Sequence, residues 1–464
     1  MFAAEVYQQR RSRLMAGETH GLMLFLGNVD SPMNYPKNAY PFIQDSSFRY
    51  FFELNEPCLA GILDCEQQTV TLFGNELDMD DIVWTGPLPS LAERAEQIGI
   101  SQVRPYAELE AVLRDALLKG VDVHYLPPYR GETVLELARL LGRTADAVKR
   151  GFSEALAHKV VALREIKSSE EVAEIERSLE VTREMHIAAM KSSRPGTVER
   201  EVVGVMEGIM RRKDWQLAYP TIFSRRGEVL HNHRHDQVLK AGDLVVNDSG
   251  VTSDAGYASD ITRAIPVGGK FSERQRALYD TVLAMQLNAI AAMKPGVTYR
   301  DVHKLAARTM VERMSEMGFF KGDAAQIVEC GAYAIAFPHG LGHMIGMDVH
   351  DMENLGEDRV GYGEDITRSE LFGLGYLRMA KALKPGMVVT VEPGVYFIPE
   401  LIDAWQREEK FTDMINYAKF REYADFGGIR IEDNVLITDT GSKILGQPIP
   451  KTVEEVERTM AEAI

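Results

Sequence analysis

The sequence predicts an α/β (α+β) chain of two domains, the second of them internally duplicated. Three observations predict it. Strand-like and helix-like segments alternate over residues 1–150. One strand phrase occurs twice, as KAGDLVVNDSG at 240–250 and KPGMVVTVEPG at 384–394. One helix-initiating phrase also occurs twice, as RPGTVEREV at 194–202 and KPGVTYRDV at 294–302. At 464 residues the chain exceeds one ordinary core, so more than one domain is expected.

In the first domain, GLMLFLG, CLAGILD and TVTLFG are short apolar runs that read as strands. SLAERAEQIGI and ELEAVLRDALLKG place apolar residues at helical spacing. A helical stretch around 133–163 then leads into IKSSEEVAEIERSLEVTREMHIAAMK. There Ser168 and Glu171 fit a capping box, and Val172, Ile175 and Leu179 share one helix face. A boundary near 155–165 follows, with domains at 1–160 and 161–464.

In the second domain, each Pro-Gly ends one helix and a new one begins behind Thr197 or Thr298. Aligning the two strand phrases puts Asp248 on Glu392. A second acid follows each, Asp260 in SDITRAIPV and Glu432 in GIRIEDNVLI. Like charges at close range disfavour each other's ionisation, so four such carboxylates are either protonated or hold cations. PHGLGHMIGMDVH at 338–350 adds His339, His343 and His350. Carboxylates with one imidazole form a mostly hard ligand set, which favours Mn²⁺ or Mg²⁺ over a thiolate-type zinc site. The count suits two ions sharing bridging carboxylates around an activated water. His339 and His343 stand at i, i+4, but Gly340 and Gly342 argue against a helix there, so one ligand is expected rather than two.

Other acids and histidines need placing. DITR recurs at 365–368, but Asp365 sits in a Gly-rich charged insertion and reads as solvated surface. Asp254 reads as a hairpin turn residue. His231, His233 and His235 alternate in VLHNHRHD and would be a separate metal site on that pattern alone. The stretches 353–380 and 399–425 read as insertions near the mouth of the site.

Composition narrows the function classes. A net charge of −17 argues against nucleic acid or an anionic membrane as partner. Cys58, Cys65 and Cys330 form no zinc spacing and no disulfide framework, which points to a reducing, cytoplasmic setting. The run LMLFL after Arg10, Arg11 and Arg13 is too short for a signal-peptide core, and no stretch approaches a membrane span.

The set NDSG, SDITR, HGLGHMIGMDVHD, VEPGVYF and GIRIEDNV, over about 160–445, resembles the dinuclear metallopeptidases of the pita-bread fold. YPFIQDSSFRYFFELNEPCLAGILD is similar to the N-terminal domain of aminopeptidase P and prolidase. The resemblance implies metal ligands at Asp248, Asp260, His343, Glu392 and Glu432, with Asp260 and Glu432 bridging two divalent ions. Manganese is the first choice of metal, with Co²⁺, Zn²⁺ or Mg²⁺ as alternatives. The Asp248–Asp260 spacing is one residue longer than usual in that family and is read as a longer hairpin.

Further roles follow from the same resemblance. Glu392 would move a proton, and His350 and His231 would hold the tetrahedral intermediate. His339 joins the substrate contacts, while His233 and His235 face solvent. Arg378, in GYLRMAKALKPGM, matches the arginine with which prolidases hold a dipeptide carboxylate, a fit for a guanidinium fork. Arg430 would support the site by pairing with acids. Trp84, in DIVWTGP, would cover a substrate pocket, its own or a neighbouring subunit's, or else fill a core. The implied activity is hydrolysis of Xaa-Pro dipeptides by a homodimer or higher homo-oligomer. The alternative is an Xaa-Pro aminopeptidase acting on longer peptides. A metal-free creatinase-like enzyme should lack these acids, and a non-catalytic binding relative should have lost ligands or gained a basic patch.

Overall fold

The computed structural model describes residues 1–17, 20–363 and 366–462; Asp365 lies outside the described residues. The chain divides into two compact units, Met1–Arg164 with Met352–Arg359, and Glu165–Asp351 with Val360–Ile464. The division expected between 160 and 161 falls inside the helix Glu154–Arg164, which stays whole in the first unit. Residues 352–359 group with the first unit although they interrupt the second in sequence.

The first unit is built on a five-stranded sheet. Its order is Gln102–Pro105, Thr69–Gly74, Ala60–Asp64, Leu22–Leu26, Val123–His124. The three inner strands are antiparallel and the two outer ones join in parallel. Leu22, Leu24, Ile62 and Phe73 of the sheet share a buried core with Leu109 and Leu113 of the helix Leu109–Leu118 and Leu137 and Leu140 of the helix Gly131–Leu141. The helix expected over 90–100 is shorter, Leu91–Glu96, because residues 97–99 turn the chain.

In the second unit the helix Ser169–Ser192 opens with the expected Ser168–Glu171 capping box. It packs on Glu199–Arg211, as Glu273–Ala292 packs on Tyr299–Glu316. Pro195 and Pro295 end the first helix of each pair, since the residue before proline is pushed out of the helical region. The strand Leu244–Ser249 pairs antiparallel with Ile261–Pro266, and Val388–Val391 pairs antiparallel with Asp433–Ile437.

The duplication extends to single backbone bonds. Gly196 N donates to Leu239 O at 2.8 Å, and Gly296 N to Leu383 O at 2.9 Å. Glu199 N donates to Gln237 O at 3.0 Å, and Tyr299 N to Lys381 O at 3.0 Å. Gly242 N donates to Val267 O at 3.0 Å, and Gly386 N to Ile437 O at 2.9 Å. Isolated bridges repeat the match, Val198 with Val238 and Thr298 with Ala382. Asp248 and Glu392 therefore hold equivalent places in two equivalent frames. The strands that carry or flank the acids, Leu244–Ser249, Ile261–Pro266 and Val388–Val391, are buried at every residue. Such strands read as continuous apolar runs, and a lone acid in one stands out.

Among the described residues, no helix is long and apolar enough to cross a membrane. Cys58, Cys65 and Cys330 are free thiols.

Candidate metal centre and active site

The second unit gathers the acids of both halves at one place. Asp248 lies near the end of its strand, opposite Thr262, while Asp260 precedes the strand Ile261–Pro266 by one residue. Side chains of a strand alternate, so Asp260 and Thr262 face the same way. Glu392 follows the strand Val388–Val391, and Glu432 precedes Asp433–Ile437. Asp248, Asp260 and Glu432 are buried, at 8%, 5% and 1% exposure.

His343 comes to the acids from a loop held against the second-half strand. Its backbone N–H donates to Thr390 Oγ1 at 3.0 Å. A Cβ at position 342 would lie 2.3 Å from Thr390 O, so only glycine lets the loop approach this closely. The ring Nδ1 donates to Met344 O at 3.0 Å, which assigns the tautomer and leaves a lone pair on Nε2. That lone pair faces Asp260 at 3.4 Å and Glu392 at 3.6 Å.

Such a cluster needs positive charge. Burial, then Asp248, pushes the Asp260 carboxyl well above the usual range. Burial, then Asp260 and Asp248, does the same to Glu432, and burial with Glu432 does it to Glu392. One base is supplied from within: Arg430 donates to Asp248 Oδ2 at 2.5 Å. Tyr219 has a single O–H, yet its oxygen lies 2.5 Å from Asp248 Oδ1 and also against Asp260 Oδ1. Glu432 accepts from Thr262 Oγ1 at 2.7 Å through Oε2, but its buried Oε1 has no hydrogen-bond partner. Asp260, His343 and Glu432 offer atoms within 4.8 Å of one another. An imidazole lone pair, crowded carboxylates and an orphaned oxygen fit a divalent cation, with oxygen and nitrogen donors of the hard or intermediate kind.

A cavity of about 620 Å³ opens onto this cluster. Of the residues singled out in the sequence, Asp248, Asp260, His343, Glu392, Glu432, His231, His339, His350, Arg378 and Arg430 all line it. The His350 ring lies 3.9 Å from the His343 ring, centroid to centroid. His231, exposed on the cavity wall, has its pKa lowered, by partial desolvation first and then by Arg430. His339 is held neutral, its pKa lowered to about 3 by burial and Arg430. Both its nitrogens are engaged, with Gly340 O at 2.7 Å and Tyr396 Oη at 2.9 Å. Arg430 completes that chain by donating to Tyr396 at 2.8 Å and to Thr262 at 3.1 Å.

Several expectations need correcting. His235 is only half-exposed, and its Nε2 bonds Thr221 O at 3.1 Å. His233 is exposed but stands on the cavity wall beside His231. Trp84 fills no core: it is 82% exposed on the first unit's helix Met79–Thr85, none of whose residues is buried. Asp254 does lie in a turn, paired with Arg177 at 3.0 Å. The sequence reasoning missed Tyr219, Thr262, Thr390 and Tyr396. Thr262 and Tyr396 sit inside the quoted SDITR and VEPGVYF phrases, two residues from Asp260 and four from Glu392. It also missed Phe372 and Tyr376, aromatic residues on the cavity wall in the same segment as Arg378.

Comparison with known proteins shows what the chain is similar to. Residues 173–439 match the family model described as metallopeptidase family M24, and residues 7–124 match the aminopeptidase P N-terminal domain. The human Xaa-Pro dipeptidase is 32% identical over 98% of this chain and 91% of its own length. A probable Xaa-Pro aminopeptidase of Verticillium alfalfae is 34% identical over 88% of this chain and 86% of its own. The structure of E. coli aminopeptidase P with the inhibitor Pro-Leu superposes with a TM-score of 0.81 at 28% identity, covering 99% of this chain and 98% of that one.

Proposed function

The chain belongs to metallopeptidase family M24, and on that premise we propose that it hydrolyses the bond before proline in Xaa-Pro dipeptides. The observation that carries the reading is a guanidinium, Arg378, on the wall of the same cavity as the acid–imidazole cluster. Asp248, Asp260, His343, Glu392 and Glu432 would hold two divalent ions, manganese first, which supply Lewis acidity and a water of lowered pKa. Glu392, whose carboxyl burial and Glu432 push upward, is suited to take a proton and hand it to the leaving proline nitrogen. His231 and His350 line the cavity where a tetrahedral carbonyl carbon would form and can donate to its oxygen. Arg378 would take the dipeptide carboxylate. His339, with its nitrogens engaged, offers only its ring edge to substrate.

A second reading rests on the size of the cavity. At about 620 Å³ it sits mid-range for sites that hold drug-sized ligands, roughly 300–1,000 Å³. That leaves room for residues beyond a dipeptide and favours an Xaa-Pro aminopeptidase. The human and fungal relatives carry one name each. The deciding assay compares Xaa-Pro with Xaa-Pro-Yaa peptides of the same first residue. Dipeptides should be cleaved faster, and Arg378→Ala should raise their KM about 10- to 100-fold while affecting tripeptides less. Preference of the intact protein for tripeptides hands the function to the aminopeptidase reading.

We read the protein as cytoplasmic from its three free thiols. We read it as a homo-oligomer from the exposed Met79, Val83 and Trp84, which lie together on one short helix.

A further inference from the structure

The second unit begins with Glu165, Ile166 and Lys167, and Lys167 ends in a buried ion pair. Its Nζ lies 2.7 Å from Asp351 Oδ2, with the two side chains 1% and 2% exposed. Lys167 is fixed at its own backbone as well, where its N–H donates to Gly386 O at 2.8 Å. Glu165, two residues earlier, is paired with Lys381 at 2.6 Å, so the segment is anchored on both sides.

Asp351 closes a loop. Its N–H donates to Met344 O at 3.0 Å, and its Oδ1 accepts from Asp348 N at 3.3 Å. His343 and His350 adjoin the two ends of this closure, with their rings 3.9 Å apart. The loop is built around the ion pair. A Cβ at position 346 would lie 2.4 Å from Asp351 Oδ2 and 3.0 Å from Lys167 Cε, so glycine at 346 makes the room. Gly346 O in turn accepts from Ala258 N at 2.8 Å, which ties the loop to the turn ahead of Asp260.

A buried ion pair is an inefficient stabiliser, because desolvating both charges offsets most of their attraction. What it does fix is direction. Asp351, adjacent to His350, is held by a cation that itself cannot move. We propose that Lys167 is a positioning residue of the reaction: through Asp351 it fixes the Met344–Asp351 loop and so holds His350 over His343 and the acid cluster. The proposal rests on the peptidase reading above. Lys167 acts through this loop, by way of its ion pair with Asp351.

The test uses the full-length, metal-loaded protein. Lys167→Met should lower kcat about 10- to 100-fold on an Xaa-Pro peptide, since small misplacement of a reacting group has effects of that order. KM should stay within about 3-fold, the pattern of a group that matters in the transition state. In a His350→Ala background, adding Lys167→Met should cost less than about 2-fold, because the two act as one unit. A loss of full size in that background overturns the proposal, as does an unchanged kcat in the folded single variant. If Lys167→Met fails to fold because Asp351 is left buried and unpaired, Lys167→Met/Asp351→Leu removes both charges. It should show the same kcat loss and the same silence beside His350→Ala, and wild-type kcat in it overturns the proposal. Hydrogen–deuterium exchange needs no turnover and separates the two claims. Faster exchange confined to 344–351 in the variants supports the positioning role, and wild-type protection there overturns it. A wild-type protein that cleaves no Xaa-Pro peptide sinks the peptidase reading and leaves the exchange result standing.

Discussion

Glu432 and Asp433 are neighbours in the chain and both are buried, at 1% and 4% exposure, yet their charges are treated in opposite ways. Successive residues of an extended chain face opposite sides, and Glu432 enters the acid cluster just before the strand that Asp433 begins. Asp433 meets Arg263 at 2.8 Å, Lys451 at 2.6 Å and Gln286 Nε2 at 3.1 Å. Burial alone would raise its carboxyl, but Arg263 and Lys451 hold it below the usual range. Glu432 is raised by burial, then by Asp260 and Asp248, and keeps one oxygen without a partner. A buried carboxylate that the chain neutralises by itself is scaffold. A cluster left short of positive charge is completed from outside.

The sharpest way to break this comparison is Glu432→Ala. It should lower turnover by about 10³-fold or more, since metal-type charge stabilisation supplies several kcal/mol. Metal content by elemental analysis should fall with it, and full activity with full metal loading would show that the orphaned oxygen has no such role. Asp433→Asn should do the reverse. It strands Arg263, 1% exposed, and Lys451, and should cost about 3–5 kcal/mol in urea unfolding while metal content stays at the wild-type value.

A further effect is a slope with pH. In chelated protein the raised acids bind more protons folded than unfolded, so their contribution is most favourable below about pH 4 and falls as pH rises. Each such group contributes up to about 1.4 kcal/mol per pH unit. Asp433 is lowered, so it stabilises above its unfolded pKa and loses that contribution as acid is added. Stability of the chelated protein should therefore decline as pH rises above the ordinary carboxylate range, and metal should flatten the decline. A chelated protein that grows more stable as pH rises above that range would contradict the cluster's electrostatics.

Much of the site was legible because the fold repeats itself. Asp248 and Glu392 stand out as lone acids in two copies of one apolar phrase, and the structure brings them into one cavity with Asp260, Glu432 and His343. Tyr219 was not legible. A tyrosine before a proline carries no periodic signal, and its place between two acids exists only after the strand Ile222–Ser224 pairs with Leu244–Ser249. His235 and Trp84 show the same limit from the other side, since neither a triplet of histidines nor a lone tryptophan says which face meets solvent. The membership of residues 352–359 depends on packing far along the chain and leaves no local mark.

The duplicated frame has a mechanical consequence. Asp260 belongs to the first copy, His343 and Glu432 to the second, and all three offer atoms to one point. A cation held there is a reversible cross-link between two stretches of backbone distant in sequence. It closes loops that would otherwise be closed by packing alone, and it binds the folded chain in preference to the unfolded one. On the proposed reading the metal supply would set the stiffness of this unit, and a chelator would loosen the two copies from each other as it stopped catalysis.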